Sequence, residues 1–368
     1  MHKTLARILS FPVFIKKHRK KFRSFLEEFH FSNFVFNIKQ LIVLSKISGK
    51  NKIALMELNS FHLECLYSIY KYFDSSLQLK KEIIIFTTPK NIKLNLFSSK
   101  DVKIYAISPF VVKILDCFRY FNQFSFVFVN SYYIWEPHKS VEFYYKNYLK
   151  KSPLYVIDHA PGVFSPIYSE NKNIKKFVLA EFLSQKYKFP FIYTCIYPTK
   201  NTSKQKKYTF LSIGNESKGK DIHSLIKFCE ENSISSCIIG PTSSKNQNII
   251  YPGKVSFDDL FKYCYNSKFL PFLIHNDISY YLSAISGNLN LALAFPVVSI
   301  IDKRLGKLYG LSNEEAILYD GKKDFIRALQ YALTLEDKDY KSMLKKMSEK
   351  RKLLVKKSKE NIIDTIKQ

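Results

Sequence analysis

Three groups of residues have the types and spacing that chemistry needs. The first is the loop Gly214-Asn215-Glu216-Ser217-Lys218-Gly219, which follows the apolar run 210–213 and precedes a helical pattern starting near Asp221. A loop between a parallel strand and a helix presents backbone N–H groups and the positive end of the helix dipole, which suits a phosphate. Lys218 adds a mobile cation. The spacing matches neither GxGxxG nor a P-loop, so it gives no support to a dinucleotide dehydrogenase or an NTPase. Glycines and a lysine here also suit a plain turn. The second group is Asp158-His159, which ends the apolar run 154–157 before Ala160-Pro161-Gly162. Side chains at the carboxyl end of a strand project into the crevice where open α/β sheets bind ligands. His159 suits hydrogen bonding to a ligand hydroxyl or proton transfer, with Asp158 orienting it; as a loop cap, Asp158 would instead satisfy nearby backbone N–H groups. The third group, Ser286-Gly287-Asn288, opens a small-residue stretch that runs into Pro296-Val297-Val298. Its helix start suits phosphate or ribose, while helix-to-sheet packing accounts for residues 292–298.

Isolated candidates are less informative. His275, after a strand and before Asn276 and Asp277, suits either a ligand contact or a turn, and His62 suits either a cleft or a cap. The Asp337-x-Asp339 spacing has no strand before it and is not read as a metal site.

The elements that must position these groups alternate between strand and helix. In the first half, strands are expected at residues 53–58, 82–87, 102–107, 126–129 and 154–157, with a helix at 61–73. The polar, proline-containing stretch 197–206 is the best linker. Beyond it, strands are expected at 208–213, 236–239, 254–255, 270–274, 296–301 and 316–318, with helices at 221–230, 257–265 and 282–294. Such alternation means α/β domains with parallel sheets covered on both faces. The expected division is a basic amphipathic extension at 1–48, one domain at 49–196, another at 197–335, and a basic helix at 336–368.

Composition excludes several classes. The net charge of +27 suggests an anionic partner, but only seven of the 58 basic residues are Arg, the side chain that reads bases and grips phosphates bidentately. A specific nucleic-acid ligand is therefore not expected, and a basic nucleic-acid-binding protein stays as the alternative that charge alone would explain. The six cysteines form no CxxC pair and lie mostly in apolar runs, which predicts buried free thiols in a reducing compartment. No signal-peptide pattern and no apolar run of about 20 residues is seen, so a cytoplasmic location is expected. Residues 1–45 mix aromatic and basic side chains, as a helix on an anionic inner-membrane surface does and as a helix packed on the first domain also does.

Several motifs carry a family resemblance. Phe210-Leu211-Ser212-Ile213-Gly214 followed by Lys218-Gly219-Lys220-Asp221, then Ile239-Gly240, residues 255–260 and Ala292-Leu293-Ala294-Phe295-Pro296-Val297-Val298 resemble the second half of two-domain GT-B glycosyltransferases. In particular they resemble the bacterial retaining enzymes that build lipopolysaccharide, lipooligosaccharide and capsule. Tyr155-Val156-Ile157-Asp158-His159 looks like that group's strand ending in the His beside the reacting sugar. The resemblance implies two Rossmann-like domains facing each other across a cleft, with basic helical N- and C-terminal extensions. It implies transfer of a sugar from a nucleotide-sugar donor to a lipid-linked or oligosaccharide acceptor, without a metal or other cofactor. His159 and Asp158 would be catalytic, and Gly214, Asn215, Lys218, Gly219, Ser286, Gly287, Asn288 and His275 would bind the donor. Two departures stand out: Asn215 occupies the place of an Arg found in many members, and Leu289 that of the second of two paired glutamates. The segment 286–290 is similar to the Ser-rich segment of sialyltransferases, which implies a CMP-sugar donor as the alternative.

Overall fold

The computed structural model describes residues 31–59, 62–75, 81–94, 96–97, 102–134, 139–163, 171–198, 206–214, 221–241, 247–274 and 279–368. Two six-stranded, wholly parallel sheets organise these residues. The first uses β1 (Lys52–Glu57), β2 (Glu82–Thr87), β3 (Lys103–Ala106), β4 (Phe126–Val129), β7 (Leu154–Ile157) and β8 (Ile174–Phe177) in the order β3-β2-β1-β4-β7-β8. The second uses β9 (Tyr208–Ile213), β10 (Ser236–Ile239), β11 (Ile249–Gly253), β12 (Ser267–Pro271), β13 (Val298–Asp302) and β14 (Ala316–Tyr319) in the order β11-β10-β9-β12-β13-β14. Each sheet starts at its middle, runs to one edge and then returns to build the other half. This is the doubly wound Rossmann order, present twice. A small hairpin, β5 (Tyr133–Ile134) with β6 (Lys139–Ser140), hangs from the end of β4.

The central strands are buried apolar runs because helices cover both faces of each sheet. Five of the six residues of β1 and of β2 are buried. Helix starts are set by short caps: Thr88 and Ser108, each followed by proline, accept the N–H groups of Asn91 and Val111. The inward faces of both sheets merge into one core that joins Ile53, Leu55 and Phe128 to Leu211, Leu270 and Ala292.

Helix α1 (Phe31–Ser45) packs on the first domain. The Gln40 side-chain oxygen accepts the Ser108 N–H, and the Tyr120 hydroxyl donates to the Leu44 carbonyl. Packing on that domain therefore describes residues 31–45; the more strongly basic residues 1–30 lie outside the described residues. At the other end a long helix, Asp337–Lys367, touches both domains. Its Arg351 donates to the Ala294 carbonyl in the second domain. Its Ser358 hydroxyl accepts the Tyr193 N–H, and Asn361 donates to the Phe191 carbonyl, both in the first half.

Four local expectations change. The strand expected at 254–255 is Ile249–Gly253, and the one expected at 270–274 is Ser267–Pro271, because the preceding helix Phe257–Asn266 runs straight into it. The strand expected to start at Pro296 begins at Val298, because the Val297 N–H turns back to the Phe295 carbonyl instead of joining the ladder. The helix expected at 282–294 divides into Ser279–Leu282 and Gly287–Ala294, since the Ser286 hydroxyl accepts the Asn288 N–H and caps a new start. Five cysteines are buried free thiols, whereas Cys117 is exposed.

Candidate functional site

A cavity of about 350 Å³ lies between the two domains. From the first domain it is lined by Asn59, His62, Glu64, Cys65, Ser131, Tyr132, Tyr133, Asp158, His159, Ala160, Val163 and Leu179. Ser279, Tyr280, Ser283, Ala284, Ile285, Gly287 and Asn290 close it from the second. Asn59, Ser131 and His159 each stand two residues past the carboxyl ends of β1, β4 and β7. Strands β1 and β4 are the pair at which the first sheet reverses its order, the place where doubly wound folds bind ligands.

Two histidines form the wall on the first-domain side. His62 precedes the helix Leu63–Asp74 in a left-handed conformation (φ 66°), a strained backbone for a non-glycine residue. Its ring stacks on that of His159, with centroids 4.0 Å apart and planes 19° from parallel. The Nε2 of His159 lies 2.7 Å from the backbone carbonyl of Asn130. Because a carbonyl can only accept, Nε2 carries the proton, and in the neutral ring the lone pair is on Nδ1.

The environments of the two rings push them apart. Burial drives the His159 pKa well below its usual value, the neighbouring His62 pushes the same way, and the hydrogen bond to Asn130 opposes both. For His62, burial also acts downward, but the hydrogen bond and charge of Glu64, together with the charge of Glu57, leave its pKa raised. The His62 Nδ1 is 3.8 Å from Glu64. A neutral base thus lies against a ring biased towards the cation, the separation that marks an acid–base pair.

Asp158 is buried beside His159, and its carboxylate pairs with Lys176 on β8 at 3.6 Å, both side chains being almost fully enclosed. The Lys176 ammonium also sits 4.1 Å over the Tyr132 ring. The ring-orienting acceptor recorded for His159 is the Asn130 carbonyl, rather than the Asp158 carboxylate that the sequence suggests for that task.

On the second domain, Gly287 lines the cavity at the start of its helix, and among the described residues no atom outside its own helix backbone and chain neighbours lies within 4 Å of where a Cβ would stand. Ser286 and Asn288 are buried on either side. Their N–H groups are engaged, by the Tyr309 hydroxyl and the Ser286 hydroxyl respectively. Gly214 ends β9 with φ 114°, a conformation that favours glycine, and donates its N–H to the Ile239 carbonyl. Asn215, Lys218, Gly219 and His275 lie outside the described residues.

Sequence reasoning missed Glu57, Cys65, Asn130 and Asn290. Asn290 is buried at the cavity and donates from Nδ2 to the Thr194 hydroxyl at 2.8 Å, while its side-chain oxygen has no hydrogen-bond partner among the described residues. Among the described residues, His62, Cys65 and His159 bring nitrogen and sulfur donors within 4.8 Å of one another, a set that suits a soft divalent ion. The stacking works against that use. Imidazole lone pairs lie in the ring planes, and here the planes run side by side, so one ring must turn before both bind a single ion.

No protein-family model matches the chain, and no curated protein does. Solved structures match in fold. T4 phage BGT in complex with its UDP-glucose substrate is 12% identical with a TM-score of 0.56, over 86% of this chain and all of that one. A glycosyltransferase from Rickettsia africae ESF-5 is 10% identical with a TM-score of 0.56, over 86% of this chain and 98% of that one. An alpha-glucosyltransferase in complex with UDP and a 13-mer DNA is 12% identical with a TM-score of 0.54, over 81% and 95%. At such identities the likeness establishes the architecture: the chain has the two-domain fold of the GT-B glycosyltransferases.

Proposed function

We propose that the protein transfers a sugar from a nucleotide-sugar donor to a hydroxyl of a glycan acceptor, without a catalytic metal. The observation that carries this reading is the interdomain cavity. In it a histidine biased towards the neutral form, held by the Asn130 carbonyl beside the β1–β4 switch point of one Rossmann-like sheet, faces a helix start on the other. T4 phage BGT, which shares the fold, binds UDP-glucose, and a donor of that class is the one proposed for this cleft.

Nδ1 of His159 would take the proton of the acceptor hydroxyl as its oxygen attacks the anomeric carbon. The bond from that carbon to the phosphate oxygen breaks, and the nucleotide leaves with the electron pair. Negative charge grows on the leaving phosphate, so fixed donors aimed at it lower the barrier. The N-terminus of the helix Gly287–Ala294 and Lys218 are assigned that task. Asn215, Gly219 and His275 are assigned to donor binding with them, as are Gly214, Ser286 and Asn288. Direct displacement by a base-activated hydroxyl inverts the anomeric configuration, which favours the sialyltransferase-like alternative over a retaining enzyme. The preferred acceptor is a lipid-linked or oligosaccharide precursor of lipooligosaccharide, lipopolysaccharide or capsule, met at an anionic membrane surface. The net charge of +27 favours a second acceptor class, DNA, which accompanies the alpha-glucosyltransferase above.

Thermal shift with UDP-, GDP-, dTDP- and CMP-sugars tests the donor site, because a ligand that binds only the native state raises its apparent stability. Stabilisation by at least one donor, lost in Lys218→Ala, is expected. Transfer to oligosaccharide and duplex DNA acceptors then identifies the acceptor, with His159→Ala inactive. If no donor stabilises the protein, or His159→Ala turns over at the wild-type rate, the reading fails.

A further inference from the structure

Glu57 closes β1 and is fully buried behind the histidine pair. Its Oε1 accepts the Asn59 N–H at 2.8 Å. Its Oε2 accepts both the Asn130 side-chain amide at 2.5 Å and the Ser131 hydroxyl at 2.7 Å. Each contact leads to the cavity. Asn59 and Ser131 line it directly. The Asn130 amide also donates to the backbone carbonyl of His62 at 2.8 Å, and the Asn130 backbone carbonyl holds the ring of His159.

A carboxylate removed from water is unfavourable unless its lone pairs are met, and three donors meet this one. A glutamine of the same shape would fill the same space. What it would lack is the acceptor-only head to which all three donors point, and the negative charge behind His62. Among the described residues, the charged and titratable groups around His62 are Glu64 and Cys65 on the helix it precedes, His159 from the loop after β7, and Glu57 from β1.

We infer that Glu57 is a positioning residue for the histidine pair, acting through Asn130 to fix the His62 backbone against the His159 ring. The inference rests on the proposed transfer reaction for its catalytic consequence only. Holding a base within near-attack geometry governs turnover more than donor affinity, and a displacement of about 1 Å can cost roughly a hundredfold.

The test is Glu57→Gln, read in two ways. In steady-state kinetics kcat falls about 10- to 100-fold, while the donor KM, set on the other domain, stays within about twofold. In imidazole-detected NMR of the substrate-free protein, assigned by His62→Gln and His159→Gln, the ring-current shifts of the stacked pair shrink and the His62 titration moves to lower pH. Unchanged His62 and His159 signals in a folded Glu57→Gln protein would overturn the inference, as would an unchanged kcat. If Glu57→Gln does not fold, Asn130→Ala severs the same link while leaving the carboxylate its charge and two donors, and it must shrink the same ring-current shifts. The NMR measurement needs no substrate. A wild-type protein that transfers no sugar would therefore sink the proposed function, while the spectra still decide the role of Glu57.

Discussion

Replacing Lys176 by methionine separates a structural from a catalytic role for Asp158. The Lys176 ammonium lies 3.6 Å from the Asp158 carboxylate, and their side chains are only 2% and 5% exposed. At the effective dielectric that describes such pairs, attraction at this distance is about 4–5 kcal/mol. Burial works against the ammonium, lowering the Lys176 pKa despite the pull of Asp158 and Glu142, so little of that attraction is net stability. Removing one partner is a different matter. Lys176→Met takes this counter-charge away from an enclosed carboxylate, which costs about 3–5 kcal/mol and, in a chain of 368 residues, lowers the melting temperature by about 4–6 °C. The double variant Asp158→Asn, Lys176→Met removes both charges and should return to within about 1 kcal/mol of wild type. Circular dichroism melts of the two single variants and the double variant give the coupling directly. A Lys176→Met protein that melts as wild type does, or a double variant no more stable than the single, refutes the argument. Transfer activity in the double variant then assigns Asp158: retained activity makes it a support for the loop, and lost activity makes it part of the chemistry.

Other outcomes follow from the same geometry. The value of kcat/KM should fall as pH drops through the depressed pKa of His159, placing that limb below 6.5, and fall again as pH rises through the raised pKa of His62, above 6.5. A profile whose acid limb lies above 6.5 would contradict the assignment of His159 as the base. Exhaustive EDTA treatment should leave transfer unchanged, whereas added Zn2+ should inhibit by drawing His62, Cys65 and His159 together, and Cys65→Ser should relieve that inhibition. The methyl of Gly287→Ala meets no further atom of the described residues within 4 Å, so the variant should keep or raise stability by up to about 1 kcal/mol. The added methyl enters the cavity at the helix start, so the donor KM should rise several-fold; a destabilised protein with an unchanged KM would contradict the placement.

The doubled fold was legible in the sequence because parallel strands covered on both faces read as unbroken apolar runs. The run 82–87 and the run 154–157 lie on β2 and β7 for that reason. Strand β8 left no such trace. Its sequence is Ile-Lys-Lys-Phe, and Lys176 is enclosed where Asp158 and the Tyr132 ring receive its charge. Periodicity likewise could not divide the stretch 282–294, where the residues suit one helix and a serine cap decides for two.

At the site, what was legible was the chemistry that touches the ligand space; the layer behind it was not. His159 stands out because a histidine at a strand end, followed by Pro161 and Gly162, has few structural uses. Glu57 gives no such signal, since a glutamate that ends an apolar strand reads as the first residue to reach water. It stays buried because Asn130 and Ser131, more than 70 residues further on, bring it donors. Asn290 depends in the same way on Thr194, which in turn donates to the Cys65 sulfur at 3.3 Å. That chain of contacts runs from the second domain, through the connecting segment, to the helix that His62 precedes. The length of a cleft can thus be read from strand ends, but its width is set by polar contacts between residues far apart in sequence. Here Asn290, Thr194 and the terminal helix that bonds to both domains set it together, so the histidines and the helix start at Gly287 face each other only in the assembled chain.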